Sequence, residues 1–177
     1  MNGKKVAGIL IIAAITLMLI AGCSKMDSED SGEDDTLLID LANNLCDGVD
    51  VPEYEAIALD KSNFEYFAFI PYEQGIEAVA ADALVNIEAH SLVVIRTESD
   101  NASSLAQTVF EKANPNKWLC VGAEKVNVAY TNHYIVLVMS REDIADDIIS
   151  NFKTQSHKLY DGEVNVLSAV NNIREFE

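Results

Sequence analysis

After residue 36 the chain alternates between two kinds of apolar spacing, one typical of helices and one typical of strands. Apolar residues that recur every three or four positions indicate an amphipathic helix, whereas alternation or a short apolar run indicates a strand. Helices are predicted over 37–46, over 75–88, from Ser99 or Asp100 to Ala113, and over 141–152. Strands are predicted over 55–59, 64–70, 91–96, 126–130 and 134–139.

The order of these elements, α-β-β-α-β-α-β-β-α, favours an α+β fold. We expect a single domain with a mostly antiparallel sheet and helices packed on one face. The apolar run at 91–96 is typical of a central buried strand, and Asn132-His133 is typical of a hairpin turn. No glycine-rich phosphate loop follows any predicted strand, which argues against a nucleotide-binding doubly wound fold. Residues 163–177 have no clear pattern.

Residues 1–22 have the layout of a lipoprotein signal peptide. Lys4 and Lys5 supply positive charge ahead of the apolar stretch 6–20. The residues that follow directly, Ile20-Ala21-Gly22-Cys23, resemble the lipobox of bacterial lipoproteins. The resemblance implies that the Cys23 thiol takes a diacylglyceryl group and that the signal is cut just before it.

Lipidation of Cys23 would hold the protein at the cell membrane, facing the extracytoplasmic side. The alternative is an uncut N-terminal membrane helix in which Cys23 is incidental. The apolar stretch is short for a membrane span, which favours the lipid anchor.

Residues 23–36 predict a lipidated cysteine followed by an acidic, flexible tether, and residues 37–177 form the predicted domain. The whole chain has 29 acidic residues against 12 Lys and Arg, a formal charge of −17. Residues 37–177 keep 23 acidic against 9 basic residues, or −14. Such a surface repels phosphate backbones and anionic leaflets, which excludes nucleic acid as a partner and leaves the lipid as the membrane attachment.

The sequence predicts no catalytic, cofactor-binding or metal-binding residue. His90, His133 and His157 lack the spacing of a helical zinc site, and we expect His90 and His133 at solvated positions. The last predicted helix has four crowded carboxylates, Glu142, Asp143, Asp146 and Asp147. We interpret them as a solvated face, because one helix face cannot enclose a cation.

Cys46 and Cys120 are the cysteines that remain once Cys23 is lipidated. Outside the cytoplasm such a pair could form a disulfide, since one ends a predicted helix and the other precedes a predicted strand. The alternative is that both are small, buried apolar residues.

The stretch 91–152 resembles a group of small lipoproteins of Gram-positive bacteria whose domain has no established activity. The resemblance lies in SLVVIRTESD, NPNKWLCVGAEKVNV and YIVLVMS, followed by a helix with an acidic start. It implies an α+β module at the cell surface and supplies no functional residues.

These features together predict a lipid-anchored extracytoplasmic protein that acts without catalysis and without a cofactor, as a binding or assembly module for an envelope protein partner. A small-ligand-binding lipoprotein of an importer and an envelope enzyme with a carboxylate site are the alternatives. A partner module should expose an apolar patch, whereas an enzyme should have a concave pocket with perturbed carboxylates.

Overall fold

A computed structural model describes residues 32–85, 87–98, 101–159 and 161–171. Its helices are α1 (Gly32–Cys46), α2 (Phe64–Ala68), α3 (Ala102–Lys112) and α4 (Glu142–Leu159). Its strands are β1 (Tyr54–Leu59), β2 (Ile76–Ala83), β3 (Ser91–Thr97), β4 (Lys125–Tyr130), β5 (Tyr134–Ser140) and β6 (Asn165–Val170). None of the helices in these ranges is long and apolar enough to cross a membrane.

The six strands form one sheet in the order β1-β2-β3-β5-β4-β6, and every neighbouring pair is antiparallel. Two hairpins, β2–β3 and β4–β5, supply the four inner strands. The chain leaves β3 through α3 and returns one strand beyond its neighbour, so that β5 rather than β4 pairs with β3. After α4 the chain adds β6 to the outer side of β4, which leaves β6 at the end of the described sheet.

The core lies on both faces of the sheet. One apolar cluster joins α1 and α4 to the sheet, and a second joins α2 and α3 to the opposite face. Val93 and Ile95 belong to one cluster, while Leu92 and Val94 belong to the other. A strand covered on both faces needs apolar residues at consecutive positions, which explains the apolar run predicted to be a central strand.

The predicted α+β class, the single domain and the antiparallel sheet are confirmed. The expectation that helices cover one face is wrong, because α2 and α3 cover the face opposite α1 and α4. The predicted helix 37–46 is part of α1, and the predicted β4–β5 hairpin is present. The predicted helices before Asn114 and from 141 correspond to α3 and α4.

Two neighbouring predictions are wrong in type. The segment 64–70 is predicted to be a strand but contains α2, which buries Phe64 and Ala68 one turn apart. The segment 75–88 is predicted to be a helix but contains β2, whose Ile76, Ala78 and Ala80 face one cluster. Val79 and Ala81 face the other. Because β2 is apolar on both faces, its residues also satisfy helical spacing.

Candidate functional site

The structure separates the cysteines that the sequence singles out. Cys23 and the predicted signal peptide lie outside the described residues. Cys46 is buried at the end of α1, whereas Cys120 is exposed in the loop after α3, and both thiols are free. The structure does not bring Cys46 and Cys120 together, since α1 and the residues flanking Cys120 pack on opposite faces of the sheet. The possible disulfide is therefore absent, and of the two thiols only Cys46 fits the alternative of a small, buried residue. Burial raises the pKa of the Cys46 thiol to about 11, which makes it a poor nucleophile.

The acidic start of α4 is held by basic side chains. Lys125 Nζ lies 3.1 Å from Glu142 Oε1 and 2.7 Å from Asp146 Oδ2. Arg141 binds Asp143 through two nitrogens, at 3.2 and 3.1 Å. Within the described ranges no group of three or more His, Cys, Asp or Glu is arranged to hold a metal ion. These carboxylates therefore stabilise the junction of β4, β5 and α4.

His90 is fully buried, which corrects the expectation of a solvated position. It lies in the turn between β2 and β3, just before Ser91, and its ring Nδ1 is 3.2 Å from Ser140 Oγ. The segment 75–88, predicted to be a helix that ends near His90, contains strand β2. The β2–β3 hairpin places the His90 ring in the interior. Burial lowers the pKa of His90 to about 4, so the ring is neutral at physiological pH.

A buried lysine lies in the loop before β4. Lys117 Nζ donates to Asp82 Oδ2 at 2.6 Å and to Ser91 Oγ at 3.0 Å. The rings of Tyr66, Phe67 and Trp118 lie 5.0–5.5 Å from the same nitrogen. Cation–π contact and the ion pair thus anchor this loop and α2 against the ends of β2 and β3.

The outer edge of β6 is an exposed and uncharged surface. The strand reads NVLSAV, and all of its residues except Leu167 are exposed. Val166 and Val170 are 39% and 56% exposed on the α4 side of the strand. No described strand pairs with its outer side. The strand at the other end of the sheet, β1, carries Glu55, and its remaining residues are partly buried.

The hydrogen bonds between β4 and β6 determine which backbone groups of β6 face outward. Asn171 N–H, just after the strand, donates to Glu124 O at 2.7 Å and therefore faces β4. In an antiparallel pair this orientation alternates from one residue to the next. The N–H groups of Val166, Ser168 and Val170 consequently point away from β4, toward any strand added at this edge.

A polar recess of about 510 Å³ lies at the N-terminal end of β6, on the α3 side. Its walls include Ser103, Tyr130, Asn132, His133, Glu163 and Asn165. A second recess, of about 260 Å³, lies on the α4 side and includes Asn127 and Ser150. Of these two recesses, the first contains a histidine, His133.

His133 is held in place by Asp161, which follows α4. The Nδ1 of the ring lies 2.5 Å from Asp161 Oδ1, and the backbone N–H of His133 donates to Oδ2 at 2.8 Å. Thr131 Oγ1 donates to the same Oδ2 at 2.5 Å. Burial alone would raise the pKa of Asp161, but these hydrogen bonds outweigh it and hold that pKa below its ordinary value.

A carboxylate can only accept, so Nδ1 of His133 carries the proton and donates to Asp161. With Nδ1 as the donor, Nε2 is the acceptor of the ring in its uncharged form, and Nε2 forms no hydrogen bond with the described residues. The His133 side chain is 43% exposed, whereas that of Asp161 is 9% exposed. The recess therefore has an accessible imidazole of fixed orientation.

Sequence reasoning did not find the β6 edge or the recess. Asn132-His133 and Asp161-Gly162 are each typical turns, but nothing in their spacing indicates that they meet. Their contact is close, because a Cβ added to Gly162 would lie 2.7 Å from Asn132 Nδ2. Gly162 also has a φ of +95°, a conformation that favours glycine.

Comparison with known proteins returns no family model, no curated protein and no solved structure that matches this chain.

Proposed function

We propose that the protein is a lipid-anchored, extracytoplasmic binding module that captures an extended segment of an envelope protein along the outer edge of β6. The observation that carries the proposal is the exposed, uncharged edge strand. Sheet edges in soluble proteins are ordinarily protected by charge, proline or a bulge, and β6 has neither a charged residue nor a proline. A strand added there would gain backbone hydrogen bonds from three outward N–H groups.

Charge indicates the chemistry of the occupant. Residues 37–177 carry a formal charge of −14, so a basic segment is attracted to the domain. A second copy of the chain would bring fourteen further negative charges to the same edge. The proposed occupant is therefore an extended, net basic segment of a different protein. Its binding involves no catalytic step.

Membrane attachment in this proposal depends on Cys23 and on the lipobox residues before it. Cys23→Ala should abolish labelling by a radioactive fatty acid and leave the chain uncut, with Cys23→Ser as a second variant that also removes the thiol. Labelling that persists in both variants would contradict the lipid anchor and leave binding at β6 to be judged separately.

Binding at β6 is tested with a photo-crosslinking residue placed at Val170 of the full-length protein in its native membrane. Leu84, 54% exposed beside β1, is the matched control position because its exposure is nearly the same. We expect the Val170 probe to capture one recurrent protein through a net basic segment and the Leu84 probe not to capture it.

Two substitutions at Ser168 show whether backbone pairing at β6 is responsible for the crosslink from Val170. Ser168→Pro removes an outward N–H without removing a hydrogen bond to β4, and proline is tolerated at such an edge position. Ser168→Ala keeps that N–H. The crosslink should fall at least tenfold in the proline variant and persist in the alanine variant, whereas equal yields in both would contradict strand addition.

A further inference from the structure

The recess beside His133 has the chemistry of a binding site distinct from the β6 edge. Ser103 and Tyr130 bring hydroxyl groups, Asn132 and Asn165 bring amides, and His133 brings an imidazole. Hydroxyl and amide groups each donate and accept hydrogen bonds. A volume of about 510 Å³ lies within the range of small-molecule sites.

The site is partly pre-organised. Two hydrogen bonds to Asp161 hold the ring and the backbone N–H of His133, and Thr131 donates a third to the same carboxylate. Across the recess, Ser103 Oγ lies 3.4 Å from the hydroxyl of Tyr130, which joins the start of α3 to the end of β4. Because the ring of His133 is already held, it would lose little side-chain conformational entropy when a ligand binds.

The walls exclude several ligand classes. No lysine or arginine among the described residues lines the recess, and Glu163 together with the acidic domain repels phosphate and carboxylate ligands. An apolar ligand would leave these hydroxyls and amides unpaired. A neutral ligand with several hydroxyl groups can pair with them and stack a sugar ring on Tyr130.

We propose that this recess binds a neutral, polyhydroxylated ligand, namely a carbohydrate, with His133 Nε2 accepting a hydrogen bond from one ligand hydroxyl. Asn165 and Asn132 provide donors and acceptors for neighbouring hydroxyls, and the ring of Tyr130 provides the apolar contact. Asp161 is a positioning residue, because it holds His133 without lining the recess.

The test is NMR titration of the isotope-labelled full-length chain in a detergent without a sugar headgroup. The probes are maltotriose and chitotriose as neutral sugars, glucose 6-phosphate as an anion and putrescine as a cation. We expect at least one neutral sugar to shift the resonances of His133 and Asn165, and the anion and cation to leave them unchanged.

Three variants identify the contacts. Asn165→Ala should weaken sugar binding roughly three- to tenfold, the effect of one lost hydrogen bond. Ser150→Ala, in the recess on the α4 side, should leave binding unchanged. Glu163→Gln should also retain sugar binding, because an amide oxygen still accepts.

Absence of any shift with both sugars would overturn the proposal. It would also be overturned by shifts with putrescine that disappear in Glu163→Gln, since that result assigns the recess to cations. Binding at the β6 edge is measured separately by the Val170 crosslink, so either proposal can fail alone.

Discussion

His90 lies in an environment that disfavours the charged form of its ring. It is fully buried in the turn between β2 and β3, next to Ser140, and burial lowers its pKa to about 4. In the unfolded chain the same group titrates near 6.5. Between these two pH values the unfolded state binds more protons than the folded state. The contribution of His90 to the free energy of unfolding is therefore fully present above about pH 6.5 and is lost as the pH drops toward 4.

Replacing His90 should therefore change how stability depends on pH. The loss attributed to this residue is on the order of 3 kcal/mol at pH 4 and below. His90→Gln, measured by urea unfolding at several pH values between 4 and 7, should flatten the curve. His157→Gln, at an exposed position on α4, is the control and should keep the original slope. An unchanged slope in His90→Gln would contradict a buried neutral imidazole.

The Lys117–Asp82 pair gives a second prediction at this scale. Removing the Lys117 ammonium leaves the Asp82 carboxylate largely desolvated and without its opposite charge. Asp82 Oδ1 already has no hydrogen-bond partner among the described residues. Lys117→Met should destabilise the domain by roughly 2–5 kcal/mol. The double variant Lys117→Met with Asp82→Asn should recover part of this loss in denaturant unfolding. A fully additive double variant would contradict direct coupling of the two side chains.

At the scale of elements, local pattern predicted the helices whose burial is one-sided. Helices α3 and α4 each bury one face, so apolar spacing along the sequence identifies them. The β4–β5 hairpin has a polar turn between apolar runs, which again is a local feature. The predictions for β2 and α2 are wrong for different reasons. Burial of β2 on both faces removes the strand alternation, and the aromatic residues of α2 favour a strand locally although tertiary packing places them in a helix.

Asn151 links two elements that are far apart in sequence. Its side-chain Nδ2, on α4, donates to Leu45 O at 2.9 Å and to Asp47 O at 3.1 Å, at the C-terminal end of α1. Helix ends have unpaired carbonyls, so this side chain acts as a cap supplied from another helix.

Asn151→Ala should lower the free energy of unfolding by about 1–2 kcal/mol, because it leaves these carbonyls without their protein donor. Ser150→Ala, at the neighbouring exposed position, should change it by less than about 0.5 kcal/mol. Equal effects from both substitutions in chemical denaturation would show that Asn151 does not couple α1 to α4.

At the scale of the whole molecule, the net charge of −14 over residues 37–177 acts against the compact state. Ion pairs such as Lys125 with Glu142 and Asp146 offset only part of this repulsion. Raising sodium chloride from about 20 mM to about 500 mM should increase the Tm of the full chain by several degrees, because salt screens the excess charge. Sodium fluoride at equal ionic strength is the control for ion-specific effects. A Tm that falls with salt would mean that attractive pairs dominate.

The candidate sites depend on contacts that no local pattern records. The turn at His133 and the turn at Asp161 meet only after α4 has brought the chain back, and β6 lacks the polar alternation by which strands are recognised. The residues that resemble a lipobox, by contrast, are contiguous, so this resemblance can be recognised from sequence alone. The lipid anchor that it implies stays a prediction.

Hydrogen–deuterium exchange of β6 tests the central claim most directly. The N–H groups of Val166, Ser168 and Val170 should exchange rapidly in the purified full-length chain and slowly in the native membrane, where the proposed partner would bind. Peptides from β1 should exchange alike in both samples. Protection confined to β6 is the predicted result, whereas equally rapid exchange of β6 in both samples would contradict the capture of an extended segment at this edge.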